Sequence, residues 1–155
     1  RLPFSAAYDG PTDPDGFVAA VVVPQVWGVL LVRKGGFAVA RIEAGQVVES
    51  KVGQRHVQGR TKAGGQSQQR FARRRDNQAR AAYEAAADHA ARILTGVRTV
   101  VTGGDHGAVD DVLTDARLRD VRVAGPWFAV PDPRRAVLDR VIADAQALQV
   151  EVVNA

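Results

Sequence analysis

Apolar residues at Phe71, Ala72, Ala79, Ala82, Tyr83, Ala86, Ala90, Ile93 and Leu94 all fall on one side of a 3.6-residue repeat. No other feature constrains the fold as strongly. The spacing predicts one long amphipathic helix over about Ser67 to Leu94, ended by Gly96, with Asp76, Arg80 and Glu84 at spacing four able to pair along its solvent side. A helix with one apolar stripe must bury that stripe against something, and the flanking sequence supplies a sheet.

Before the helix, Trp27 to Val32, Phe37 to Ile42 and Gln46 to Val52 are short β-branched runs. They are separated by Lys34-Gly35-Gly36 and Glu43-Ala44-Gly45, the pattern of an antiparallel meander with glycine turns. After the helix the chain alternates: Arg98 to Thr102 as strand, Ala108 to Asp115 as helix, Val121 to Ala124 as strand, Arg134 to Leu148 as helix, Val150 to Val153 as strand. Such alternation implies helices on a partly parallel sheet. The expected fold is therefore an α/β sandwich with a mixed sheet, the meander first and the βα units after. With 155 residues, 46% of them hydrophobic, the chain suffices for one core of ordinary size. Residues 1–16, rich in proline, glycine and aspartate, read as an irregular lead-in, and residues 17–155 as a single domain.

Charge is unevenly distributed. Residues 51–80 hold nine basic residues and the single acid Asp76, a net of +8 in a chain whose total is +4, so the remainder is acidic by four. A charge concentrated in this way points to a polyanionic partner. With no cysteine, a disulfide framework and a thiolate zinc site are both excluded, and a reducing compartment, the cytoplasm, is expected. The apolar stretch Phe17 to Val32 contains Pro24, Gln25 and Gly28 and falls short of the roughly 18 to 20 clean residues of a membrane span, so it reads as strand. No leader pattern precedes it and the first residue is Arg1, so flanking domains of a longer protein are expected.

Between the meander and the helix lies a polar, basic, glycine-punctuated segment, Arg55 to Gln66, without the periodicity that would hold it to a core; it is expected to be a mobile loop. Its tip, Gly64-Gly65-Gln66, offers a backbone that approaches a ligand with no Cβ in the way, then an amide side chain that both donates and accepts. The helix behind it presents partial positive charge at its N-terminus, followed by Arg70, Arg73, Arg74 and Arg75. Taken alone, these features describe a glycine turn before a solvated basic face equally well.

The run Gly64-Gly65-Gln66-Ser67 followed by Arg70-Phe71-Ala72-Arg73 resembles the Gly-Gly-Gln loop and following helix of the eukaryotic and archaeal class I peptide-chain release factors, with eight matches in ten positions. The order of meander, basic loop, long helix and βα units is similar to the middle domain of those factors. It is also similar to the release-factor-like (Vms-type) peptidyl-tRNA hydrolases of ribosome quality control, which include an actinobacterial branch. The detailed match covers about residues 59–95. This resemblance implies an RNase H-like sandwich and hydrolysis of the ester joining a nascent peptide to tRNA, with no cofactor and no metal. The implied partners are large-subunit rRNA and peptidyl-tRNA, met by a monomer. Nothing in the chain corresponds to a stop-codon-reading domain, so the resemblance implies rescue of stalled complexes rather than codon-dependent termination. Gly64, Gly65 and Gln66 become the implied catalytic residues. Arg60, Lys62, Arg70, Arg73, Arg74 and Arg75 become the implied contacts to RNA phosphates.

Other segments invite competing readings. Gly103-Gly104-Asp105-His106-Gly107 follows a strand, where α/β proteins place ligand loops, yet Asp105 is equally a helix cap. Asp105, Asp110, Asp111 and Asp115 form either the carboxylates of a metal-dependent nuclease or a solvated acidic face. His56 lies in the basic loop; His89 reads as structural. Trp127 and Phe128 serve either as core or lid residues or as a stacking surface for a base.

Overall fold

The computed structural model of the chain describes residues 13, 15–16, 24–54 and 66–147, with the side chains of residues 66–76 and 78 outside that description. Strand β1 (Val26–Arg33), β2 (Gly36–Glu43) and β3 (Gln46–Gln54) are followed by helix α1 (Gln66–Ile93), β4 (Thr99–Gly104), α2 (His106–Leu113) and a single 3₁₀ turn (Ala116–Leu118). The two-residue β5 (Arg122–Val123) and helix α3 (Arg135–Gln146) complete the described chain. The sheet order is β3-β2-β1-β4-β5. β1 pairs antiparallel with β2, and β2 with β3, whereas β4 runs parallel to β1 and β5 parallel to β4. Among the described residues the fold is an α/β sandwich on a mixed sheet of five strands, as the alternation of elements implies.

The central strands are apolar throughout because both faces are covered. Leu30, Val32, Phe37, Val39 and Val100 point to one side, where they meet Ala86, Ala90, Ile93 and Leu94 of α1 and Ala108, Val109 and Val112 of α2. Trp27, Val29, Leu31, Ala38, Ile42 and Val101 point to the other, against Leu138, Val141, Ile142 and Ala145 of α3. The alanines of α1 have a packing role: Ala86 and Ala90 are fully buried, and side chains this small let the helix backbone lie close to the sheet.

The expected elements are found within a residue or two, with informative exceptions. Helix α2 starts at His106 rather than Ala108 because Asp105 supplies its cap, accepting from the Ala108 amide at 3.3 Å. The strand expected over Val121 to Ala124 shrinks to Arg122 and Val123, both exposed at the sheet's edge. Within the lead-in, Asp15 and Gly16 are helical, their amides donating to the Asp13 carboxylate at 3.1 and 3.0 Å. Pro24 and Gln25 lie outside β1; the rest of the strand structure expected before them, at 17–23, and the strand expected at Val150 to Val153 fall outside the described residues.

The ionic ties of α1 also differ from expectation. Among the described residues no ion pair joins Arg80 to Glu84. Arg92 instead pairs with Glu49 of β3, and Arg117 reaches Asp88 at 2.7 Å from the 3₁₀ turn. Arg41, itself paired with Glu43 at 2.6 Å, donates to the Thr95 carbonyl just past the helix end. These contacts and the apolar seat fix the C-terminal half of α1, which stops at Gly96 (φ 74°) as its sequence predicts.

Candidate functional site

Gln66 is the first residue of α1. The first N–H groups of a helix have no carbonyl partner within it, so the Gln66 amide is a donor available to something outside the helix. The first turn, Gln66-Ser67-Gln68-Gln69, contains no acid to neutralise its partial positive charge. At about 1.5 Å per residue, the helix backbone places Gln66 roughly 24 Å along the axis from Ala82, where the buried stripe begins among the described residues. Arg70, Arg73, Arg74 and Arg75 lie on the intervening turns of the same helix. Gly64, Gly65, Arg60 and Lys62, the mobility expected of their loop, and His56 all fall outside the described residues.

Beside the described part of α1 runs an open groove of about 650 Å³, bounded by α1 (Arg80, Tyr83, Glu84), by Lys34 in the turn after β1, and by Asp111 and Arg117. No sequence motif announces it, because its walls come from three segments distant in sequence that meet only when the sandwich forms. Burial, reinforced by the charges of Asp105 and Asp111, pushes the Tyr83 hydroxyl above its ordinary range and keeps it protonated at neutral pH. Across the groove, hydrogen bonds from the Arg117 guanidinium and backbone amide pull the Asp115 carboxyl down to about 2.

Because the folded pKa of Asp115 is depressed, its pairing contributes stability above the normal carboxylate pKa, and that contribution is lost as pH falls through about 4 toward 2. Arg117→Ala is expected to return Asp115 to the ordinary carboxylate range, read by the pH titration of its side-chain carbonyl resonance. The pair lies at the surface, so the accompanying loss of stability should be small.

The acidic residues after β4 do not converge. Among the described residues no group of three or more histidine, aspartate or glutamate side chains is disposed to hold a metal ion. Asp105 caps α2 and Asp115 pairs with Arg117, so the nuclease reading loses its ligand set. His89 stacks on Phe37 at 5.5 Å between ring centroids, a packing role. Trp127 packs against the core and His106 lies flat upon it, with centroids 3.6 Å apart and planes 16° from parallel.

No helix among the described residues is long and apolar enough to cross a membrane. No curated protein matches the sequence. The sequence profile of the Actinobacteria/chloroflexi VLRF1 release factor matches residues 25–151, from the residue before β1 to beyond α3 and so through the basic segment and the whole of α1. A match over most of the chain places the basic segment and long helix in a setting of translation, and the chain belongs to the Actinobacteria/chloroflexi VLRF1 release factor family.

Proposed function

We propose that this chain is a peptidyl-tRNA hydrolase that frees nascent peptide from tRNA on stalled ribosomes through Gly64-Gly65-Gln66, without reading a stop codon, as a catalytic domain of residues 17–155 working in the cytoplasm. The observation that carries the reading is the position of Gln66 as the opening residue of a 28-residue helix whose far half is fixed to the sheet. A rigid arm of that kind carries a reactive tip away from the body of the domain. The strand order, with three antiparallel strands followed by two parallel ones, supports an RNase H-like sandwich of the release-factor middle-domain type.

The substrate is an activated ester, so catalysis requires a positioned water and stabilisation of a developing oxyanion more than a strong base. The Gln66 backbone N–H donates to the transition state or to the leaving 3′ hydroxyl. Its side-chain amide, too weak a base to take a proton, fits the pocket and excludes misplaced nucleophiles. Gly64 and Gly65 let the backbone approach closely. Arg60, Lys62, Arg70, Arg73, Arg74 and Arg75 neutralise rRNA and tRNA phosphates. With six such contacts, raising salt from about 50 to 200 mM should weaken ribosome binding roughly 10³-fold, measured by sedimentation of the chain with 50S subunits.

The alternative is a domain that only docks on ribosomal RNA through the same basic residues. Product analysis tests the proposal against both this reading and a nuclease. Hydrolysis yields free peptide and a tRNA with its 3′ end intact. A shortened tRNA would identify a nuclease, and unreacted peptidyl-tRNA with bound protein a docking module.

A further inference from the structure

The carboxyl ends of β1 and β4 form a switch point in the sheet. The chain leaves β1 toward β2 on one side, while the chain leaving β4 returns as β5 on the other. In α/β sheets, crevices of this kind are where ligands sit. Here the position is occupied by the His106–Trp127 ring pair, which neither the ester chemistry at Gln66 nor the acidic residues of α2 employ.

The pair is firmly mounted. Asp105 donates its amide to the Val32 carbonyl at 2.8 Å, fixing the start of α2 against β1. On the other side, Phe128 donates to Thr102 O and Gly104 donates to Phe128 O, both at 3.0 Å, so the segment carrying Trp127 is hydrogen-bonded alongside β4. Gly104 (φ 107°) turns the strand end where any Cβ would strike the Val32 carbonyl. The inner face of the Trp127 indole lies on the core, and His106 covers the outer one. His106 itself remains exposed, so its second face is the free one. The result is a planar ring, exposed to solvent and carried on backbone that the sheet holds in place.

We infer that the His106–Trp127 stack is a second RNA contact, on which an unpaired nucleobase continues the stack over the free face of His106. The inference rests on the ribosomal role proposed above for its choice of ligand. A flat face accepts any base, and the imidazole nitrogens at its rim add hydrogen bonds to base edges or to the ribose. An apolar peptide would require a groove with apolar walls, which this exposed ring does not provide.

The test is a titration of the intact chain with single-stranded hexa-adenylate RNA and with an abasic strand of equal length, following tryptophan emission. Hexa-adenylate is expected to quench Trp127, with the signal absent in Trp127→Phe. His106→Ala should weaken binding roughly tenfold while His106→Tyr, which keeps a planar ring, preserves it. Gln66→Ala should leave the quench unchanged, so a failure of ester hydrolysis and a failure of base stacking are read separately. Equal effects from the abasic strand, or undiminished hexa-adenylate affinity in His106→Ala, would overturn the inference and leave the pair as a lid on the core.

Discussion

Replacing Gln66 by proline is expected to lower single-turnover peptide release by on the order of 10³-fold while leaving the fold in place. Proline is well tolerated at the first residue of a helix, where the missing N–H has no intrahelical acceptor and the fixed φ already suits the helix. The substitution thus removes the proposed transition-state donor together with the side chain. Gln66→Ala keeps the amide and removes only the group that seats the tip, so its release should fall about 10- to 100-fold, the scale of a misplaced reacting group. The order of the two variants carries the mechanism: the proline variant must be the slower. Unchanged helical circular dichroism and an unchanged melting temperature would show that both act on the chemistry. Equal rates in the two would assign the whole effect to the side chain.

The second large effect is on stability. Leu30→Ala is expected to destabilise the domain by about 2–5 kcal/mol, measured by urea denaturation. Leu30 lies in the middle of β1, fully buried, with β2 on one side and β4 on the other. Its side chain belongs to the layer that seats α1, so its truncation leaves a cavity under the arm that carries Gln66. By contrast, Val48, exposed on the edge strand β3, should tolerate alanine at under about 1 kcal/mol. Peptide release per folded molecule should survive Leu30→Ala at temperatures well below its lowered transition, since Leu30 touches no proposed substrate contact.

The elements were legible because their periodicities are local. The stripe from Phe71 to Leu94 predicts α1 over Ser67 to Leu94, within a residue of Gln66–Ile93 at either end, and the Gly96 terminator is written in the chain as well. The meander neighbours β1, β2 and β3 were legible from their glycine turns, but the partners across the crossovers were not. The parallel pairing of β1 with β4 joins Gly28 to Val100 across the long helix, and nothing in either segment names its partner. The Arg80–Glu84 pair expected within α1 is not formed, for a similar reason, while the Asp76 side chain lies outside the described residues. Spacing four suggested partners within the helix, but Glu49 and Arg117, brought in by tertiary contact, are the groups that Arg92 and Asp88 engage.

At the site, the basic segment and Gly64-Gly65-Gln66 stand out in the sequence because loop chemistry is local too. The role of Asp105 as a cap was one of two readings that its sequence allowed, and the amide of Ala108 decides between them. The Tyr83 groove and the cofacial His106–Trp127 contact were invisible, as each depends on residues that come together only in the folded sandwich.

The central claim is that this chain cuts the peptidyl-tRNA ester with its Gly-Gly-Gln tip and needs no codon to do so. Its most direct test is single-turnover release of labelled peptide from 50S subunits carrying peptidyl-tRNA and no mRNA, with the wild-type chain beside Gly65→Ala. Rapid release by the wild type, lost in Gly65→Ala although that variant still binds the subunit, is the predicted result. Peptidyl-tRNA left intact by a wild-type chain that is demonstrably bound would contradict the account and leave a domain that docks on the ribosome without performing the hydrolysis.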